Sequence, residues 1–181
     1  KNIGQIVIDP IGVFWSMKFP NKEEKELQTL KEWGLKPKGL ENLKVFIPRG
    51  VEKSTPKGTY DATYAMQPSL LTPQDWCLTF GIDRFSPTGL LLDHTVYKVK
   101  NGFRTKEGKA IKGFGNNYSL EDIIFCMEND ADINSKDRGY KSDSIRALTS
   151  RFDSAKSWGV FDKRGTPLSE LSKENQLTII D

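Results

Sequence analysis

The sequence predicts an α/β protein in which a partial parallel β-sheet is interrupted by a large all-helical insertion. Short, continuous apolar runs at residues 5–9, 43–48 and 176–181 have the pattern of strands buried on both faces, as in parallel sheets. Between the second and third runs, residues 72 to about 160 carry helix-start signals and apolar residues at helical spacing. We therefore divide the chain into an α/β segment (1–70), a helical insertion (71–172) and a returning sheet strand (173–181).

The first segment has a strand–helix–strand order, which is typical of a parallel crossover unit. Its first strand ends at Asp9, because Pro10 and Gly12 break the apolar run. Asn21 is the predicted N-cap of the helix that follows, and Gly34 is its predicted end. The apolar residues of this helix recur at helical spacing, at Leu27, Leu30 and Trp33. A weaker alternation of apolar and polar residues at positions 60–66 predicts one further strand.

The insertion contains several helix starts in which a capping residue opens the helix, three times with proline directly after it. These starts are Thr72-Pro73, Ser86-Pro87, Ser119, Ser142 or Asp143, and Thr166-Pro167. Gly81 and Gly159 are the predicted ends of the first and longest helices. Aromatic residues lie at helical spacing and are predicted to form the core: Trp76, Phe80, Phe125, Phe152 and Trp158.

The composition excludes several classes of protein. Apolar residues make up 36% of the 181 residues and aromatic residues 10%, which is enough for a packed core and argues against wholesale disorder. No apolar run approaches the roughly 20 residues that a membrane helix needs. Cys77 and Cys126 occur without a secretory signal pattern, so we expect buried free thiols and a cytoplasmic protein. Together with the single His94 they cannot supply the four ligands of a zinc site, and no metal site is predicted.

No segment of the chain matches the P-loop pattern G-x-x-x-x-G-K-[ST], in which backbone amides bind phosphates. The nearest match, at residues 102–110, has one residue too many between its glycines. It also has Ala110 where the pattern needs a hydroxyl, and it follows a helix instead of a strand. We therefore expect the chain not to bind ATP through a P-loop.

Two carboxylates follow predicted strands directly, Asp9 after the first and Asp181 after the last. Ligands of open α/β sheets bind beyond the carboxyl ends of strands, where a carboxylate can hold Mg²⁺ or orient a water molecule. This position is compatible with a magnesium-dependent hydrolase. The alternative for Asp9 is that its side chain starts the turn before Pro10, which is a common use of aspartate.

A basic tract lies in one glycine-rich loop of the insertion, where Glu107 is the only acidic residue. Phe103 and Phe114 are interleaved with the cations, a combination that suits phosphate contacts and base stacking. The alternative is a solvated, mobile hairpin between two helices. The candidate nucleic-acid-binding residues are Lys98, Lys100, Arg104, Lys106, Lys109 and Lys112.

The segment from Ile6 to Phe14, IVIDPIGVF, resembles the D-P-x-G-E-[YF] segment of HerA-like ATPases, which belong with FtsK-like and type IV secretion ATPases. The phrases at residues 71–81, 118–123 and 158–161 are similar to those of the helical insertion that follows in that family. One departure is that the family's acidic residue after the glycine is Val13 here.

This resemblance implies a RecA-like core, hexameric rings, ATP hydrolysis and movement of DNA through a central channel. Asp9 and Gly12 would lie near the nucleotide or the subunit boundary. The P-loop would precede Lys1 and the Walker B acids would follow Asp181, so we expect a catalytically inactive middle fragment. ATP and Mg²⁺ are then expected for the parent protein, and no cofactor for this fragment. DNA and other copies of the parent in the ring are the expected partners, without a membrane. The alternative is a stand-alone helical module that binds nucleic acid or protein.

Overall fold

The structure, a computed structural model, describes residues 3–137 and 139–181. They form two compact units, one of residues 3–64 with 166–181 and one of residues 65–165. The first unit contains a four-stranded parallel sheet, and the second is mainly helical. The predicted α/β class, with a parallel sheet and a helical block, is therefore confirmed. The unit boundaries follow residues 64 and 165, whereas the sequence placed the limits of the insertion after residues 70 and 172.

The described strands and helices are numbered in chain order. The strands are β1 (Gln5–Ile8), β2 (Leu43–Pro48), β3 (Ala62–Tyr64), β4 (Gly102–Arg104), β5 (Ala110–Lys112) and β6 (Leu177–Ile180). The helices are α1 (Glu24–Glu32), α2 (Pro73–Phe80), α3 (Pro87–Asn101), α4 (Leu120–Asn129), α5 (Ser142–Ser157) and α6 (Leu168–Leu171). None of the helices in the described part is both long enough and apolar enough to cross a bilayer.

The returning strand β6 lies between β1 and β2, and the sheet order is β1-β6-β2-β3 with every pair parallel. Leu177 stands opposite both Gln5 of β1 and Leu43 of β2. The predicted strands at the two ends of the chain are therefore direct neighbours. Because all strands run in the same direction, their carboxyl ends lie at one edge of the sheet.

The prediction that the first strand is fully buried is wrong. β1 is an edge strand that pairs with β6 alone, and the side chains of Ile6 and Ile8 are 39% and 74% exposed. Val7 points to the opposite face and packs against the small core of the sheet, which includes Val45 and Ile179. A continuous apolar run is the same for an edge strand and a central strand, so the sequence pattern could not separate them.

The helix α1 begins later than its predicted cap. Asn21 does not cap it; its Oδ1 accepts a hydrogen bond from the Glu23 N–H at 2.8 Å, which forms a turn before the helix. The predicted end is confirmed, since Gly34 has a φ of 68° and the Leu35 N–H donates to the Leu30 carbonyl at 2.8 Å. A left-handed glycine followed by a backbone hydrogen bond that spans six residues is the Schellman type of helix end.

The helical unit has its own core, and three of its predicted caps are confirmed. Thr72, Ser86 and Ser119 each accept a hydrogen bond from a backbone N–H in the first turn, which satisfies a donor that the helix leaves unpaired. In the core, Trp76 lies against Phe152, with ring centroids 5.0 Å apart.

The aromatic core prediction is partly wrong. Trp76 and Phe152 are fully buried and Phe80 is half-buried, but Phe125 and Trp158 are 44% and 43% exposed. Helical spacing shows which aromatic residues share a helix face. It does not show how far a neighbouring element covers that face.

Candidate functional site

Two of the sequence-predicted site residues meet at the carboxyl edge of the sheet, together with Asp181. Asp9 follows β1 and Asp181 follows the adjacent strand β6, and the Asp9 N–H donates to the Ile180 carbonyl at 2.7 Å. Gly12 lies in the turn after Asp9, directly against the Asp181 carboxylate. We call Asp9, Gly12 and Asp181 the strand-end site. It combines residues that are more than 165 positions apart in the sequence.

Asp9 holds the turn that follows β1. Its buried carboxylate accepts four backbone hydrogen bonds, Oδ1 from Ile11 at 3.3 Å and Gly12 at 3.0 Å, and Oδ2 from Val13 at 2.8 Å and Phe14 at 2.7 Å. Burial raises the pKa of Asp9, but these four donors outweigh it and hold the pKa below its ordinary value. Because a carboxylate offers about four lone-pair positions, the turn occupies all of them. The contacts of Asp9 therefore match the alternative interpretation, in which its side chain forms the turn at Pro10 and Gly12.

Gly12 allows the turn to approach the neighbouring strand end. Its φ of 69° is left-handed, and a Cβ added at this position would lie 3.0 Å from the Oδ1 of Asp181. A side chain here would therefore be strained twice, once by the backbone conformation and once by the carboxylate.

Asp181 differs from Asp9 because its carboxylate accepts no hydrogen bond from the described residues. Burial, followed by repulsion from the negative charge of Asp9, raises the pKa of Asp181 above its ordinary value. A fourth residue, Tyr64 at the end of β3, also lies near this site and was not predicted from the sequence. Burial and then the charge of Asp181 raise the pKa of the Tyr64 hydroxyl. No motif marks Tyr64, since only the strand order brings it to this edge.

The described residues do not complete a metal site. No group of three or more His, Cys, Asp or Glu side chains in the part of the chain that the structure describes could hold a metal ion. The strand-end site offers one carboxylate with open lone pairs, that of Asp181, because Asp9 is saturated. Cys77 and Cys126 are free and buried, as predicted, and burial raises the pKa of both thiols.

The basic tract is not a single surface, because Lys98 is withdrawn from it. Lys98 lies on α3 with only 15% of its side chain exposed, and its Nζ pairs with Asp132 and lies 3.5 Å from Oδ2 of the buried Asp130. Burial lowers the pKa of Lys98, but the two carboxylates outweigh it and raise the pKa. Lys98 therefore belongs to a partly buried charge network, and its charge is already paired with carboxylates. Spacing could not reveal this, because both aspartates come from the segment after α4.

The remaining cations lie on or beside an antiparallel hairpin formed by β4 and β5. Phe103 stands opposite Ile111, and Arg104 stands opposite Ala110. Phe103 is buried and Ile111 half-buried, so these two residues mark the inner face of the hairpin. Side chains alternate between the faces of a strand, which places Arg104 and Lys112 together on the outer face.

The other members of the tract are arranged around this face. Lys106 and Lys109 lie in the exposed turn between the strands, and Lys100 is half-buried at the end of α3. Phe114, which the sequence offered for base stacking, lies instead beneath the Lys163 ammonium, 5.4 Å from its ring centroid. The structure thus keeps the exposed cations together and removes both interleaved aromatic rings from free surface.

A separate groove of about 440 Å³ lies in the helical unit, at the start of α4. Two cations line it, but each has a carboxylate partner: Lys156 with Asp153 at 2.6 Å and Lys163 with Asp122 at 2.7 Å. The other two charged residues that line the groove, Glu121 and Asp162, are negative. The lining itself therefore carries two positive and two negative side chains and has no excess of either charge.

Comparisons with known proteins add no relative: no family model, no curated protein and no solved structure gives a significant match to this chain.

Proposed function

We propose that this chain is the central segment of a HerA-like, hexameric, DNA-translocating ATPase of the cytoplasm, and that it has no ATPase activity by itself. The observation that carries the proposal is the strand-end site, in which the segment resembling D-P-x-G ends beside the returning strand. Asp9, Gly12 and Asp181 meet at the carboxyl edge of a parallel sheet, where α/β proteins bind ligands.

Within this proposal, the chain's own residues shape the edge of the nucleotide site. Asp9 fixes the turn through its four backbone hydrogen bonds, and Gly12 lets the turn lie against Asp181. Val13, at the position of the family's acidic residue, contributes its N–H to Asp9 and no charge. The turn therefore shapes the edge of the site but contributes no side chain that could act as a general acid or base.

ATP and Mg²⁺ are assigned to the parent protein, and no catalytic step is derived for this chain. Magnesium needs several oxygen ligands, and the described strand-end site supplies one open carboxylate, Asp181. For the same reason, the site gives little support to an independent magnesium-dependent hydrolase. The remaining ligands and the phosphate-binding loop would come from the segments that the resemblance places before residue 1 and after residue 181.

The first test is the gene that encodes the chain. A G-x-x-x-x-G-K-[ST] motif is expected shortly before the codon of Lys1, with acidic Walker B residues after Asp181. An open reading frame that extends upstream without this motif would overturn the proposal.

The second test is a calorimetric titration of the 181-residue chain with ATP and MgCl₂. No binding heat is expected, because the described residues lack a phosphate-binding loop. Binding with micromolar affinity would contradict the assignment of the nucleotide site to the missing segments. The stand-alone interaction module stays the second candidate, and the exposed hairpin cations favour its nucleic-acid-binding form.

A further inference from the structure

The outer face and turn of the β4–β5 hairpin carry an excess of positive charge, which Glu107 offsets only in part through its interaction with Lys106. Arg104, Lys106, Lys109 and Lys112 are all exposed, and no carboxylate in the described part of the chain forms an ion pair with any of them. Glu107, in the same turn, is the nearest acid in the sequence. Lys98 and Lys163 of the same unit are instead paired with aspartates. The hairpin therefore brings four cations without an ion pair together within nine residues of the chain.

The register of the hairpin sets the spacing of its cations. Arg104 pairs with Ala110, and Lys112 lies two residues further along β5 on the same face. Diagonal neighbours of this kind have their Cβ atoms roughly 7–8 Å apart. Lys106 and Lys109 extend the row of charges into the turn. Such a row of separated cations fits a polymer with regularly repeated negative charges better than a single small anion.

The hairpin is also held rigidly, which limits the entropy that binding would cost. On its inner face the ring of Phe103 packs into the core of the helical unit. At its turn, the Lys106 N–H donates to the Asn129 carbonyl at 2.9 Å, and the Ala131 N–H donates to the Arg104 carbonyl at 2.8 Å. These contacts oppose the alternative of a mobile loop.

We propose that the outer face of the β4–β5 hairpin binds the phosphodiester backbone of nucleic acid without reading its sequence. The contacts are those between exposed cations and phosphates, which dominate the affinity of non-specific binding. Base stacking has no part in them, because Phe103 is buried and Phe114 is covered by Lys163. A membrane surface fits less well, since the outer face carries Gly102, Arg104, Ala110 and Lys112 and no large apolar side chain to insert.

This proposal is independent of the proposed ATPase segment. The hairpin belongs to the unit of residues 65–165, whereas the strand-end site belongs to the other unit. Finding no P-loop upstream would leave the hairpin proposal intact, and failure of nucleic-acid binding would leave the strand-end proposal intact.

The test is a fluorescence anisotropy titration of the 181-residue chain with a labelled DNA single strand and, separately, its duplex. Both are measured over a salt series from about 50 to 200 mM. Each lost phosphate contact is expected to reduce the slope of log K against log salt by about 0.9 for duplex and about 0.7 for single strand. The double variant Lys106→Ala, Lys109→Ala should therefore reduce the slope by about 1.8 and about 1.4. If the affinities of the variant and the wild type are set equal at 1 M salt, these differences in slope correspond at 0.1 M salt to a roughly 60-fold loss of affinity for duplex DNA. For the single strand the corresponding loss is roughly 25-fold.

The matched control is the double variant Lys53→Ala, Lys57→Ala. It removes the same charge from an exposed segment of the sheet unit, and its slope and affinity should stay at the wild-type values. A second hairpin variant, Arg104→Gln with Lys112→Gln, should reproduce the loss through the strands instead of the turn. Glu107→Gln should tighten binding, because it removes the one negative charge of the hairpin.

Three results would overturn the proposal. The first is a hairpin variant that stays folded by circular dichroism and keeps the wild-type slope. The second is an equal loss in the Lys53, Lys57 control, which would indicate a response to net charge alone. The third is hairpin-dependent binding to phosphatidylserine vesicles or polyglutamate without hairpin-dependent binding to DNA.

Discussion

Replacing Gly12 with alanine tests the geometry of the strand-end site directly. A non-glycine residue in the left-handed region costs about 1–2 kcal/mol, and Gly12 has a φ of 69°. The added Cβ would also lie 3.0 Å from Oδ1 of Asp181, so the carboxylate must move away from it. A displaced rotamer costs about 0.5–1.5 kcal/mol. The expected total loss of unfolding free energy is therefore about 1.5–3.5 kcal/mol.

Gly34 provides the matched control within the same unit. Its φ is 68°, and nothing lies within 4 Å of the position that a Cβ would take. Gly34→Ala should therefore cost about 1–2 kcal/mol, the conformational part alone. Adding Asp181→Ala to the Gly12→Ala variant removes the crowded carboxylate and should bring its loss down to that of the control.

The assay is amide hydrogen exchange, read by mass spectrometry on peptides from β2 and β6. These strands form the centre of the sheet unit, so their exchange reports the stability of the unit that contains Gly12. Equal losses for Gly12→Ala and Gly34→Ala would refute the reasoning. So would a difference between them that persists after Asp181 is removed, because the carboxylate would then not be its cause.

Two further predictions concern charged groups. Burial and the charge of Asp9 raise the folded-state pKa of Asp181 above the ordinary 3.8, so the folded state binds the proton more tightly. The contribution of Asp181 to stability should therefore fall as pH rises through that pKa. In urea unfolding, the stability of Asp181→Asn relative to wild type should accordingly increase over this pH range, and a difference that does not change with pH would exclude the effect. Lys98→Ala should cost about 3 kcal/mol, because it leaves the Asp130 carboxylate buried without its partner. Asp132→Ala, at a side chain that is 73% exposed, should cost under about 1 kcal/mol, and similar losses for the two variants would contradict the buried network.

Much of the local structure could be predicted from the sequence. The second strand, the caps at Thr72, Ser86 and Ser119, and the helix end at Gly34 all follow from short patterns. These features depend on interactions within one turn or one strand, such as a hydroxyl that accepts a bond from an N–H three residues later. Neighbours in the sequence supply both partners, so no knowledge of the tertiary structure is needed.

The candidate sites were predictable only in part. Asp9 and Asp181 could be recognised as residues that end strands, but their proximity depends on β6 lying next to β1. The basic tract could be recognised by its composition, yet Lys98 is removed from it by Asp130 and Asp132. In both cases the deciding partner lies on a different element.

The sequence by itself determined the α/β class, the order of the helices and of the main-sheet strands, and several helix ends, because these depend on periodicity and capping; it did not predict the strands β4 and β5. Only the tertiary structure decided that β1 is an exposed edge strand and that all hydrogen-bond positions of the Asp9 carboxylate are occupied by the turn that follows it. It also decided that Arg104 and Lys112 share one face of a hairpin. The reason is physical: burial, pairing of charges and strand register are properties of two surfaces in contact, and a local pattern describes only one of the two.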